Sequence, residues 1–578
     1  MTPGPRTRRV KPLDALLAVL RDEGVDRVFG NPGTTELPFT DALVDAPDLQ
    51  YVLGLQEGSV VAMADGYARA TGRTAFASLH VAAGLANGLI GMLNARRSRT
   101  PLVITAGQQD RRHLVQDPML AGDLVGLAGP AAKSAVEVNR AADLPLLLRR
   151  AFALAALPPA GPVFLSVPMD LLAEDELVDL PARSPRAPQG PATGLAAAAD
   201  LLAAARRPAV VAGDGVGRDG AVARLVDVAE QLGAAVYHQP MNDGVDFPGN
   251  HPLYAGMLAP RNADIRDLLS RYDAVFIVGC HAFTPHHYTP GPAVPEDLPV
   301  VQLDSDPAEI GRNFAVRLGL AGALAPSLAL LADKLRGRVP EAAQRIAALG
   351  ETHAKAREAI DREARARAQN GRSPLDPLAA AHAIATGLPE DAVVVEEAIT
   401  AGLKLRSVLR QDAPRSYVHT VGGGLGWGVG AAIGTRLGAP DRPAAAVLGD
   451  GCAMFGLQGL WTAAHYRVPV AFFVMNNGEY RTLKETLDAE QSRSAATRGY
   501  IGLDLPAPGP PAHRLNWSDA ARFFGIEAVR IESPAQLREV AARVGTLSAP
   551  LLIDVPVTSH ADEHDYVPAA YCHEAGHA

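Results

Sequence analysis

The chain has 578 residues, of which 48% are hydrophobic and 20% charged, and a formal net charge of −9. That length exceeds a single core and calls for several domains. The acidic balance gives no electrostatic case for nucleic acid or an anionic membrane surface, which leaves small molecules as the expected partners.

Cys280, Cys452 and Cys572 are too few and too scattered for a disulfide framework or a metal cluster, a usage that fits a cytoplasmic protein. No run reaches the ~18 apolar residues of a membrane span. The segment after Arg6, Arg8 and Arg9 is broken by Asp14 and Asp22, so it does not read as a signal-peptide core.

In chain order, Leu13, Leu16, Leu17 and Leu20 line one helical face, Gly24 supplies a stop, and Arg27-Val28-Phe29 opens a strand. The strand-like runs 101–106 and 162–167 flank helical segments, which argues for a parallel sheet covered on both faces. Pro181, Pro185, Pro188 and Pro191, interleaved with Arg183 and Arg186, form an extended linker. Beyond it come a strand over 208–212, a helix near 219–232 and strands at 274–279 and 299–303. An Ala-, Arg- and Glu-rich helical connector over 341–369 precedes a third unit that ends near Val557. The expected architecture is α/β, with three doubly wound parallel-sheet domains over 10–180, 194–340 and 373–557.

Two motifs read as decoys. Gly215-Val216-Gly217-Arg218-Asp219-Gly220 satisfies the dinucleotide fingerprint after a strand, but the acidic residue expected about 20 positions on is replaced by Gln239 or Pro240. His573-Glu574-Ala575-Gly576-His577 spells a zinc-protease pattern with only Ala578 after it and a glycine inside it.

The third unit carries the informative stretch. The apolar run from Ala444 ends at Gly449-Asp450-Gly451, Leu457, Leu460, Trp461 and Ala464 recur at helical spacing, and the run 470–475 ends at Asn476-Asn477-Gly478. In a strand-helix-strand crossover both strand ends reach one sheet edge, so Asp450 and Asn477 are expected to converge. A carboxylate and an amide oxygen are hard ligands that suit Mg²⁺, and the glycines admit phosphate oxygens. The GDG triplet, 24 intervening residues (452 to 475) and the Asn pair match the diphosphate-and-metal signature of thiamine diphosphate enzymes. Gly213-Asp214-Gly215 is an internal control, since the residue 27 beyond Asp214 is Met241.

Thiamine catalysis calls for a carboxylic acid on the aminopyrimidine ring, and Glu57, opening the helical segment that contains Val60, Val61 and Ala64, is the candidate. The cofactor's bent shape calls for a bulky apolar wedge. Leu425, the one large residue in the Gly422–Gly426 run, is chosen for it.

The motifs 30–39, 55–68, 78–87, 101–109, 161–170, 423–434 and 475–480 resemble the thiamine diphosphate enzymes, and most narrowly their benzoylformate decarboxylase branch, over roughly 12–557. The resemblance implies a pyrimidine-binding domain, a Rossmann-like middle domain and a diphosphate-binding domain, in a homotetramer with sites at the dimer interface. It implies Glu57 as aminopyrimidine partner, Leu425 as wedge and Gly423 as a backbone contact. Asp450, Asn477 and the Glu479 carbonyl become Mg²⁺ ligands, and Thr400, Gly451, Cys452, Ala453 and Tyr480 line the cofactor's diphosphate.

His80 and His286 match the branch's two catalytic histidines, with His287 left open beside His286, and Thr34 takes the carboxylate-binding position. The implied reaction is non-oxidative decarboxylation of a 2-oxo acid. A carboligase is the alternative, and a non-catalytic cofactor-binding relative a third reading.

The segment after Tyr480 departs from the branch. It reads Arg481-Thr482-Leu483-Lys484-Glu485-Thr486-Leu487-Asp488, with threonines where a phenyl-binding pocket has smaller and aromatic residues. Arg481 and Lys484 are expected either to meet an anionic substrate group or to point to solvent.

Overall fold

The computed structural model describes residues 8–283, 288–369, 371–506, 514–560 and 562. Three sheets of parallel strands dominate it, with a short antiparallel pair, Arg8–Val10 against Val178–Leu180. Parallel strands buried on both faces read as continuous apolar runs, and the runs singled out in the sequence become Leu102–Gln108, Pro162–Pro168, Pro208–Ala212, Ala444–Gly449 and Val470–Asn476.

The first sheet runs in the order Gln50–Leu53, Arg27–Gly30, Ala75–Leu79, Leu102–Gln108, Pro162–Pro168, Ser134–Glu137. The helix Pro12–Asp22 buries Ala15, Leu16, Leu17, Val19 and Leu20 in the core on one side of that sheet. The second sheet runs Tyr254–Met257, Ala235–His238, Pro208–Ala212, Ala274–Val278, Val300–Asp304, Leu318–Ala321. The helix expected near 219–232 is Val222–Leu232, set apart from a preceding short helix, Asp214–Arg218, by Gly220 at φ +65°. The third sheet contains Val393–Glu397, Ala444–Gly449, Val470–Asn476, Leu551–Pro556 and Glu527–Arg530 in that order.

The connector is one helix, Ala342–Ala368, with Ala364 its buried residue, as its solvated composition requires. Two compact units divide the chain. One comprises residues up to Glu358 together with 410–424 and 430–441, and the other 359–409, 425–429 and the remainder from Arg442.

Candidate active site

In the first unit the strand register sets the site. Gly30 pairs with both Leu53 and Ser78, and Leu79 pairs with Ala106, so four neighbouring strands end at one edge. The residues just beyond those ends are Asn31 to Thr34, Glu57 and His80, and Gly107 is the penultimate residue of its own strand.

Glu57 begins the helix Glu57–Thr71 and is buried, its two carboxyl oxygens accepting hydrogen bonds from Asn31 Nδ2 (2.9 Å) and Asn87 Nδ2 (3.0 Å). It is held from above by the helix Val81–Arg97. A Cβ at Gly84 would come within 3.2 Å of Glu57 Oε1, and one at Gly91 within 2.7 Å of Val61 Cβ, so the glycines of that face set the spacing.

His80 precedes that helix, and its Nδ1 lies 2.9 Å from Glu36 Oε2 and 3.1 Å from Thr35 Oγ1. Glu36 is buried and also accepts from the amides of Gly33 and Gly107, each at 2.9 Å. Gly33 packs under the imidazole, since a Cβ there would overlap ring atoms at 2.2 Å. Val81, next along, sits at φ +41°, a conformation a β-branched residue adopts only when its surroundings impose it. Thr34 lies exposed on the Thr34–Glu36 turn, whose described side-chain bonds run through Thr35 and Glu36. Gly423, also in this unit, is exposed at φ +76° with open space where a Cβ would be.

In the second unit three adjacent strands end together, with Glu397 opposite Leu448 and Gly449 opposite Met475. Thr400, Asp450 and Asn477 follow those ends. The GDG triplet is a helix start rather than a free turn, because Asp450–Phe455 is helical from Asp450 onward. Asp450 is buried and accepts from Gly451 N (2.8 Å) and from Gly478 N (2.6 Å), so one carboxylate ties the two strand-end loops together. Burial, together with the nearby Glu479, pushes its pKa up to about 6.

Asn477 Oδ1 accepts from Glu479 N at 3.0 Å, and Thr400 Oγ1 meets Thr482 Oγ1 at 2.7 Å. Cys452 and Ala453 are buried in the short helix, and a Cβ on Gly451 would meet the Tyr480 ring at 2.7 Å. Leu425 is half-buried. The aspartate and the asparagine thus converge as the crossover argument requires, and their oxygen donors, with a buried carboxylate that burial makes costly to ionise, fit a hard divalent cation. Among the described residues no cluster of three or more His, Cys, Asp or Glu side chains could hold a metal by itself. Any such cation at Asp450 therefore needs backbone and ligand oxygens.

Sequence reasoning missed Glu36 and Glu397. Glu397 is buried and accepts from Trp427 N (3.2 Å) and Gly428 N (2.9 Å), capping the helix Trp427–Gly438. Its pKa is pushed up to about 8, by burial first and in spite of those amide donors. The available signal was a pair of glutamates, Glu396-Glu397, at the end of an apolar strand.

Arg481 and Lys484 contradict both expectations placed on them. Lys484 is fully buried between Glu479 (2.6 Å) and Asp504 (2.5 Å), and Arg481 is buried on Glu485 and the Thr558 carbonyl. His286, like His287, lies outside the described residues, as does the 573–577 pattern.

At the fingerprint turn the amides that would cradle a pyrophosphate are already spent. Gly215 N donates to Gly279 O at 2.9 Å, Val216 N to Gly213 O at 2.9 Å and Gly217 N to Asp246 Oδ1 at 3.1 Å. Asp214 accepts from Gln239 Nε2 and Asp243 N, and its pKa is held well above the carboxylate range by burial and then by Asp243 and Asp246. Three amides that a fingerprint loop would present to a pyrophosphate are thus taken up by the protein's own acceptors.

Three family models match the chain: the N-terminal TPP binding domain of thiamine pyrophosphate enzymes over residues 11–124, their central domain over 195–331, and their C-terminal TPP binding domain over 400–555. A benzoylformate decarboxylase of Pseudomonas aeruginosa is 35% identical over 93% of this chain and 97% of its own length. An acetolactate synthase large subunit of Parasynechococcus marenigrum is 28% identical over 96% of this chain and 88% of its own. Among solved structures, a thiamine diphosphate-dependent 4-hydroxybenzoylformate decarboxylase of Rhodococcus jostii superposes with a TM-score of 0.81 at 29% identity, over 95% of this chain and 99% of that one. The benzoylformate decarboxylase of Polynucleobacter necessarius gives 0.82 at 27% identity, over 95% and 98%.

Proposed function

The chain belongs to the thiamine pyrophosphate enzyme family, and we propose that the reaction it catalyses is the non-oxidative cleavage of a 2-oxo acid to an aldehyde and CO₂. The observation that carries this reading is that one segment, residues 31–36, contacts both Glu57 and His80. Asn31 bonds the carboxyl that serves a cofactor ring, and Gly33, two residues on, packs against an imidazole that can move a proton.

When bound, thiamine diphosphate supplies a carbon nucleophile and an electron sink that the side chains lack. Glu57 hydrogen-bonds its aminopyrimidine, Leu425 and Gly423 shape its seat, and Asp450, Asn477 and the Glu479 carbonyl hold the Mg²⁺ that binds its diphosphate. Thr400, Gly451, Cys452, Ala453 and Tyr480 flank that diphosphate.

Thr34, exposed at the strand edge, receives the substrate carboxylate. His80, fixed by Glu36 and Thr35, delivers the proton that takes the place of the departing CO₂, so that 2-oxo acid and proton balance aldehyde and CO₂. His286 is assigned the companion proton transfer. The complete site is expected at the interface of a homotetramer in the cytoplasm. Among the described residues no helix is long and apolar enough to cross a membrane.

The similarity to acetolactate synthase supports a second reading, in which a second carbonyl compound rather than a proton captures the cleaved substrate. Purified protein with thiamine diphosphate and Mg²⁺ is to be offered a panel of 2-oxo acids, with and without an acceptor aldehyde. Aldehyde and CO₂ in equal amounts without acceptor is the expected result. Product formed only with acceptor establishes the second reading instead.

A further inference from the structure

The loop that carries Asn477 and Glu479 is an electrostatic problem in isolation. Glu479 faces Asp504 across an antiparallel bridge, flanked by the bonds Tyr480 N to Leu503 O (2.8 Å) and Leu505 N to Gly478 O (2.7 Å). Two carboxylates directly opposite each other repel, and Glu479 is buried. Lys484 rises from the first turns of the helix Arg481–Ala489 into the gap between them, its Nζ 2.6 Å from Glu479 Oε2 and 2.5 Å from Asp504 Oδ1. The ring of Tyr500 covers the ammonium at 5.5 Å. The other Glu479 oxygen accepts from His560 N.

We propose that Lys484 is a positioning residue for the Mg²⁺ loop. By neutralising Glu479 and Asp504 together it fixes the Glu479 backbone, whose carbonyl is assigned to the metal, and it is thereby withdrawn from any contact with substrate. The inference rests on the cofactor assignment above. It gives the charged departure after Tyr480 a role in loading the cofactor rather than in choosing the substrate.

Lys484→Met removes the cation and leaves two buried carboxylates opposed, whereas Lys484→Arg keeps the charge. With thiamine diphosphate in excess, Mg²⁺ is titrated into metal-free wild-type and variant proteins by calorimetry, and thermal unfolding of the metal-free proteins is recorded beside it. Removing a group that orients a metal ligand costs 10–100-fold in metal affinity as a rule. Lys484→Met is therefore expected to raise the Mg²⁺ dissociation constant at least about tenfold, with kcat at saturating Mg²⁺ within about threefold of wild type. Lys484→Arg is expected to recover most of the affinity.

If Lys484→Met does not fold, Asp504→Asn leaves a one-to-one Lys484–Glu479 pair and is expected to bind Mg²⁺ as wild type does, while Glu479→Gln binds it more weakly. A folded Lys484→Met with wild-type Mg²⁺ affinity, or equal affinities for the Asp504 and Glu479 variants, overturns the proposal even if its melting point has fallen. A wild-type protein that binds no thiamine diphosphate in the presence of Mg²⁺ removes the cofactor assignment itself, and the proposal with it.

Discussion

At the scale of single residues the site is held by buried carboxyls with different duties. Glu36 spends both oxygens on Gly33, Thr35, Gly107 and His80. Its replacement by Gln trades an acceptor for a donor facing amides, and the imidazole loses its anchor. Glu36→Gln should lower kcat by about tenfold or more while thiamine diphosphate affinity stays near wild type, since general acid–base groups contribute roughly 10²–10⁴-fold. An unchanged kcat would show that Glu36 does not hold His80 for catalysis.

Glu397 makes a pH prediction. Its folded pKa of about 8 exceeds the ordinary value of 4.5, so between those values the folded chain holds a proton that the unfolded chain has released. Stability therefore falls as pH rises through that window, by at most about 1.4 kcal/mol per pH unit, and levels off above it. Glu397→Gln mimics the neutral form and should show a melting point less sensitive to pH between about 5 and 8 than wild type. Parallel melting curves for the two proteins across that range would contradict the assignment.

At the scale of elements, the contact between the helices Glu57–Thr71 and Val81–Arg97 links packing to chemistry. Gly91 faces Val61, where an added methyl would sit 2.7 Å from Cβ and 2.8 Å from Cγ1, so Gly91→Ala forces the helices apart. Overpacking of this kind costs about 1–3 kcal/mol. Gly84 faces the Glu57 carboxyl with its nearest approach at 3.2 Å, so Gly84→Ala displaces that group by tenths of an ångström. Gly91→Ala should thus lower the melting point the more, and Gly84→Ala should lower kcat out of proportion to its stability change. Equal ratios of the two effects would show that the helix contact does not set the position of Glu57.

The helix Arg481–Ala489 offers the matching case for specificity. Thr482 and Thr486 lie one turn apart, Thr486 Oγ1 donating to the Thr482 carbonyl at 2.9 Å, while Lys484 is buried elsewhere on the helix. Thr486→Phe is expected to favour benzoylformate over a linear 2-oxo acid by roughly 2- to 12-fold in kcat/KM, the worth of an aromatic pair at ~0.5–1.5 kcal/mol. An unchanged ratio in steady-state kinetics would mean that Thr486 does not face substrate.

For the whole molecule, the three parallel sheets were legible because strands buried on both faces leave unbroken apolar runs. The convergence of Asp450 with the 477–478 loop was legible because a right-handed crossover brings neighbouring strand ends to one edge. The partners supplied by distant loops were not. Glu36 reaches His80 only because Gly30 and Ser78 share a register, and Glu397 becomes a buried helix cap only once Trp427 and Gly428 arrive from elsewhere in the chain. Lys484 looked like a surface or substrate-facing cation because local sequence shows the charge of a lysine but not the two carboxylates, one of them 20 residues on, that close over it.

The two GDG triplets give the most direct test of the central claim, that the sheet edge at Asp450 and Asn477 holds the cofactor. One is built on Asp450, bonded across to Gly478, and the other on Asp214, bonded to Gln239 and Asp243. Mg²⁺-dependent thiamine diphosphate binding is to be measured by calorimetry for wild type, Asp450→Ala and Asp214→Ala. The account predicts that Asp450→Ala loses at least about tenfold in affinity, since it removes the carboxylate proposed to hold the metal, while Asp214→Ala binds as wild type does. Wild-type binding by Asp450→Ala, or loss confined to Asp214→Ala, would contradict it.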